Sequence, residues 1–152
     1  MSHIHEKIDF TVVAYIINSS KVLLVLHKQL KRWLPIGGHI ELNEDPEQAL
    51  FREIKEECGL EIEIIGKKPD YKDDITQPLY SPAYLDIHKI SESHQHVGMV
   101  YIAKSKSAEI KLAEQEHDEI RWFTESELDD PKYNLLPGTK FYAKEAFKIA
   151  SK

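Results

Sequence analysis

The sequence predicts an α/β fold, a mixed sheet with helices packed against it in layers. Three observations carry this. Apolar, β-branched runs of strand length recur along the chain. A helix with both start and stop signals follows the third of them. An amphipathic helix closes the chain.

The elements follow in order. "FTVVAYIIN" (Phe10–Asn18) reads as a buried strand. Ser19 and Ser20 read as a turn, and "KVLLVLHK" (Lys21–Lys28) as a second strand. After the polar loop "QLKRW", "LPIGGHIE" (Leu34–Glu41) reads as a short strand broken by Gly37-Gly38. The helix spans about Pro46–Cys58. Asp45 is its N-cap, Pro46 sits at N1, Gln48 at N3 completes a capping box, and Gly59 takes the C-terminal glycine position. "LEIEIIG" (Leu60–Gly66) alternates as a strand, and residues 67–81 are polar and proline-bearing, a long loop. "AYLDIHKI", "HVGMVYIAK" and "EIRWFT" read as three further strands. "TESELDD" reads as a brief helix, and "GTKFYAKEAFKIASK" as the closing one.

The 152 residues suit one domain, 1–152, with one core. Cys58 is the only cysteine, so no internal disulfide forms. No apolar run approaches the roughly 20 residues of a membrane span. "MSHIHEKIDF" lacks a charged-then-apolar leader pattern, so the expected location is cytoplasmic. A net charge of −6 argues against nonspecific binding to nucleic acid or anionic membrane. It leaves a small anionic substrate open, because a bound divalent metal inverts the local field.

The helix carries the chemistry. On a wheel, Leu50, Phe51, Ile54 and Cys58 form a stripe expected to face the sheet. Glu53, Glu56 and Glu57 gather beside it, and Ala49, one turn before Glu53, leaves space there. Like charges at i, i+3 and i+4 cost a few tenths of a kcal/mol per pair, roughly. A cation relieves them, and oxygen ligands suit Mg²⁺ or Mn²⁺. Alone, "EIKEE" is an ordinary solvated helix face. Its surroundings argue otherwise. Gly37-Gly38 offers bare backbone to a ligand, and Arg52 can pair with a neighbouring glutamate or with Glu44.

"GHIELNEDPEQALFREIKEECGL" (Gly38–Leu60) resembles the Nudix box: Gly, five residues, Glu, seven residues, then Arg-Glu-U-x-Glu-Glu-x-Gly-U, with U aliphatic. Gly38, Glu44, Arg52, Glu53, Ile54, Glu56, Glu57, Gly59 and Leu60 all match. The resemblance implies an α/β/α sandwich that hydrolyses a diphosphate linked to a nucleoside or another organic group. It implies Mg²⁺ or Mn²⁺ held by Glu56 and Glu57, with Glu53 as a ligand or as the base that activates water. It further implies a backbone carbonyl from Gly37 or Gly38, with Arg52 and Glu44 as orienting residues. Many members use one more acidic residue near a Trp-containing strand. In "EQEHDEIRWF", with Glu114, Glu116, Asp118 and Glu119 available, Glu116 takes that role as an expected metal ligand.

Other residues weigh less. His39 adjoins Gly38 and could touch a phosphate, and Lys31 and Arg32 could steer an anion toward the glycines. His94 and His96 share a face at strand period. With no Cys or Asp near them in sequence, they read as solvent-facing or substrate-edge histidines. Cys58 reads as core. Trp33, Tyr71, Tyr80 and Tyr84 could stack on a base, though aromatics in so small a domain usually pack the core. The preferred substrate is a nucleoside diphosphate linked to a second group, of the ADP-ribose or nucleotide-sugar kind. The alternative is a nucleoside triphosphate cleaved to its monophosphate. Pro78 gives slight support to the first, and no array of the NADH- or coenzyme A-cleaving kinds is present. A reading of another class is a ligand sensor without turnover, against which the intact box argues. The expected partner is a nucleotide. A homodimer is common in such a family, although no residue here encodes one.

Overall fold

The structure is a computed structural model and describes residues 6–152; the first residues of the leader reading lie outside that range. Among the described residues, eight strands form one mixed sheet: β1 (Ile8–Asn18), β2 (Lys21–His27), β3 (Trp33–Leu34), β4 (Ile36–His39), β5 (Ile62–Ile65), β6 (Tyr84–Ser91), β7 (His94–Ser105) and β8 (His117–Thr124). Helices α1 (Pro46–Glu57) and α2 (Pro137–Ala150) lie on opposite faces.

β1 is apolar from Val12 to Ile17, the stretch covered on both faces. Val12, Ala14 and Ile16 pack with Leu50 and Ile54 of α1. Tyr15 and Ile17 pack with Ala143 and Ala146 of α2. β2 and β7 alternate in the same way. Leu23, Val25, Tyr101 and Ala103 face α1, while Val22, Leu24, Val100 and Ile102 face α2. Each side chain's parity therefore tells which face of the sheet it serves.

The pairing opens the sheet at one end. β1 pairs β2 only at its last two residues, then turns to β4 from Ala14↔Ile36 back to Thr11↔His39. On its other side β1 runs parallel to β7, and β7 in turn pairs β5 at one end and β6 at the other. The spread end is therefore built by β4, β1, β7 and β6.

α1 starts where its capping box places it. Asp45 Oδ1 accepts from Gln48 N at 2.8 Å, and Gln48 Oε1 accepts from Asp45 N at 2.9 Å. Gly59, just past the Cys58 cap, takes φ +72°, a conformation that glycine adopts without strain. Three expectations need correction. Gly37-Gly38 does not break its strand. Pro35 makes the break, and β4 runs through both glycines. Phe51 stays 44% exposed instead of joining the stripe, and Glu57 is buried in its place. "TESELDD" forms only a 3-10 turn at Ser126–Asp129.

Candidate active site

α1 lies against β4, and Gly38 makes the close approach possible. A Cβ there would stand 2.4 Å from Glu53 Oε1 and 2.7 Å from its carboxyl carbon. Gly37 is needed for another contact, because its Cβ would stand 2.1 Å from the Val12 carbonyl oxygen. The glycine pair thus seats β4 against β1 on one side and under the helix carboxylates on the other.

Arg52 ties the cluster together. Its Nε and Nη2 donate to Glu44 at 2.5 and 3.0 Å. Nη1 donates to Glu53 at 3.0 Å and to Glu56 at 3.4 Å, and Nη2 also reaches the His39 carbonyl at 3.1 Å. One planar guanidinium therefore spans both ends of the β4–α1 loop and two carboxylates of the helix. Hydrogen bonding to Arg52 holds the Glu44 carboxyl below the usual carboxylate range. Burial pushes Glu53 the other way, against the pull of Arg52.

Glu57 is the most deeply placed of the three, 3% exposed. Burial raises its pKa to about 7, with the His117 imidazole opposing that rise. His117 Nε2 lies 3.2 Å from Glu57 Oε2, yet the geometry aims no N–H at the oxygen. Among the described residues, Glu57 Oε2 and both His117 nitrogens therefore have no well-aligned hydrogen-bond partner. Leaving such buried atoms unpaired costs about 1–3 kcal/mol each. Glu116, at the head of β8, adds a carboxylate 3.9 Å from His117 Nε2. Glu57, Glu116 and His117 can each turn a donor atom inward with all three atoms within 4.8 Å of one another. Glu56 projects outward, its side chain 56% exposed. The orphaned buried oxygen and the crowded carboxylates match the donor set of a hard divalent cation.

The site thus brings together Gly38, Glu44, Arg52, Glu53 and Glu56 through direct contacts, with Glu57 and Glu116 meeting at His117. Arg32 stays apart, exposed on the β2–β3 turn. His39 turns its ring away from Glu53: Gly38 faces α1, so the next residue faces α2, and His39 Nε2 lies 3.3 Å from His96 Nε2. Only its carbonyl serves Arg52. His94 and His96 do have an acidic partner, Asp9, whose Oδ2 is 2.7 Å from His94 Nε2. Trp33 is buried against Phe123, ring centroids 4.9 Å apart, and Tyr84 binds Glu145 through its hydroxyl. The sequence did not single out His117. Its signal was a histidine one residue past Glu116, at the head of the strand that carries Trp122.

Known proteins resemble this chain in sequence and in fold. Residues 7–144 match the NUDIX domain model. A crystal structure of a NUDIX-family hydrolase from Clostridium perfringens superposes with a TM-score of 0.81 at 33% identity, covering 93% of this chain and 97% of that one. Two curated relatives are a probable DHNTP pyrophosphohydrolase of Lactococcus lactis subsp. cremoris and the nucleoside triphosphatase NudI of an Enterobacter species. The first is 28% identical over 73% of this chain and the second 30% over 64%. The match spans 63% and 65% of their own lengths. A CTP pyrophosphohydrolase of Escherichia coli is 27% identical over 67% of this chain and 81% of its own length. With a domain match over nearly the whole chain, and with the box residues assembled around one arginine, this chain belongs to the Nudix family.

Proposed function

We propose that the protein is a metal-dependent hydrolase of the pyrophosphate bond in a nucleoside triphosphate or a close derivative, releasing the monophosphate. The observation that carries this is the unpartnered Glu57 oxygen, buried beside His117 and Glu116 on the helix that presents Glu53 and Glu56. Mg²⁺ or Mn²⁺ bound there would neutralise the polyphosphate and lower the pKa of a coordinated water. Glu53, Glu56, Glu57 and Glu116 would hold the metal, with a carbonyl of Gly37 or Gly38. Glu53, partly buried and with its pKa raised by burial, would serve as a ligand or as the base that takes a proton from water. Arg52 fixes Glu53 and Glu56, Glu44 fixes Arg52, and His117, 3.2 Å from Glu57, would orient that carboxylate once an ion is bound, as an outer partner orients a ligand.

The relatives' names favour a triphosphate over the ADP-ribose or nucleotide-sugar alternative: one is a nucleoside triphosphatase, one a CTP pyrophosphohydrolase, and the third a probable DHNTP pyrophosphohydrolase. Product analysis separates the two. With Mg²⁺ or Mn²⁺, a panel of nucleoside triphosphates should yield monophosphate and pyrophosphate, and EDTA should stop the reaction. Monophosphate from ADP-ribose or a nucleotide sugar, with triphosphates untouched, would transfer the assignment to the alternative. Ligand binding without turnover would make the protein a sensor. Glu56→Gln should lower kcat about 10²-fold or more, because metal-borne charge stabilisation amounts to several kcal/mol. It should leave the fold intact, since Glu56 is exposed.

A further inference from the structure

A second cluster lies on the opposite face of the sheet, at the spread end of β4, β1, β7 and β6. Strand register assembles it. Asp9 pairs with His96 across the parallel β1–β7 ladder, His88 with His96 across β6–β7, and His39 with Thr11 across β4–β1. Parity puts Asp9, His39, His88, His94 and His96 on the α2 face, whereas Gly38 and Glu53 belong to the α1 face. The four imidazoles crowd one another. His96 stands edge-on to His39, His94 and His88, with ring centroids 4.8, 5.3 and 5.4 Å away.

The geometry points to a transition-metal site of the Zn²⁺ class formed by Asp9, His94 and His96, with His39 on its open side. Three arguments support it. Asp9, His94 and His96 can each offer one donor atom, all within 4.8 Å of one another, close enough for a bound ion to draw them together. The separations suit one small ion. Metal–ligand bonds of about 2.0–2.1 Å in a tetrahedron put ligand atoms about 3.3 Å apart. Asp9 Oδ2 to His94 Nε2 is 2.7 Å, His39 Nε2 to His96 Nε2 is 3.3 Å, and His39 Nε2 to Asp9 Oδ2 is 3.6 Å. The donor chemistry also differs from that of the α1 face. Two or three imidazoles with one carboxylate select Zn²⁺, Ni²⁺ or Co²⁺ over Mg²⁺.

The cluster has outer support and an entry path. His88 Nδ1 lies 3.0 Å from Asp86 Oδ1, and Asp86 Oδ2 accepts from the Tyr142 hydroxyl of α2 at 2.8 Å. That chain ties the ring packed on His96 to the helix, as outer partners orient metal ligands. Asp9 is 42% and His39 54% exposed at the side chain, so an ion reaches them directly from solvent. A bound ion would clamp the start of β1 to β7. Through β4 it would also brace the strand whose His39 carbonyl holds Arg52.

Co²⁺ titration of the full chain tests the site, with Mg²⁺ in large excess to occupy the carboxylates of the α1 face. One equivalent should bind and give the visible ligand-field absorption of a low-coordinate nitrogen–oxygen site, and Zn²⁺ should displace it. His94→Gln/His96→Gln should weaken binding at least tenfold while far-UV circular dichroism stays unchanged. Asp9→Asn should do the same and decides the matter if the double variant fails to fold. Glu56→Gln/Glu116→Gln should leave the Co²⁺ signal as it was. A missing signal, one that survives the histidine and aspartate substitutions, or one that disappears with the glutamates would each overturn the site.

Discussion

Two adjacent glycines meet different atoms, and the difference predicts different failures. At Gly38 an added methyl would strike the Glu53 carboxylate, the free end of a side chain that can move aside. Gly38→Ala should therefore keep the fold and displace Glu53, lowering kcat roughly 10–100-fold, as loss of a positioned ligand does. At Gly37 the methyl would strike the Val12 carbonyl and the Val13 backbone, which cannot yield without opening the β1–β4 ladder. Gly37→Ala should cost about 1–3 kcal/mol of stability, the usual penalty of overpacking. Thermal unfolding and steady-state kinetics on the two variants separate the effects, and equal losses of stability would refute the distinction. Arg52 makes a third case. A lysine keeps the charge but has one nitrogen where Arg52 uses three to reach Glu44, Glu53, Glu56 and the His39 carbonyl. Arg52→Lys should lower activity about 10–100-fold with metal affinity falling alongside. Unaltered metal affinity would mean that Arg52 does not position the carboxylates.

Elements were legible where their signals are local. The capping box of α1 and the apolar runs of β1 and β2 sit within a few residues, so periodicity and cap chemistry fix them. The carboxylates of α1 were legible for the same reason, since one helical stretch carries them all. His117 and Asp9 were not. Each reaches its partner across 60 residues or more, through strand pairings whose register decides which face a side chain serves. α2 illustrates a link that sequence distance also hides. Asp129, on the 3-10 turn after β8, binds Lys144 of α2 at 2.8 and 2.9 Å and lies 3.6 Å from Lys140. The Lys144 ammonium holds the Asp129 carboxyl below its usual range. A carboxyl whose folded pKa is depressed adds stability above its unfolded pKa of about 3.9 and loses it as pH falls through the folded value. Wild type should therefore melt above Asp129→Asn at pH 7. The gap should close as pH drops below about 4 and shrink in high salt, because the pair is exposed. A gap that persisted in acid would show that another contact holds the helix.

At the scale of the whole molecule, two apolar layers flank one sheet, and the functional face is where packing is left unfinished. Glu57 and His117 occupy core positions, 3% and 4% exposed, between residues that otherwise pack as hydrocarbon. Their unpartnered atoms cost stability in the metal-free chain. Replacing a buried charged pair by apolar residues of similar volume is neutral or stabilising by about 1–4 kcal/mol. Glu57→Met/His117→Leu should therefore melt no lower than wild type in EDTA, and higher if the packing closes. Adding Mg²⁺ should raise the melting temperature of wild type, because an ion that binds only the folded chain stabilises it by mass action, and should leave the double variant unmoved. Hydrolysis should be lost in the variant. Sites that trade stability for function behave this way. A variant less stable than metal-free wild type would mean that the pair supports the fold, and the buried carboxylate would then be structural. A variant that still gained stability from Mg²⁺ would show that Glu56, Glu53 and Glu116 hold the ion without Glu57.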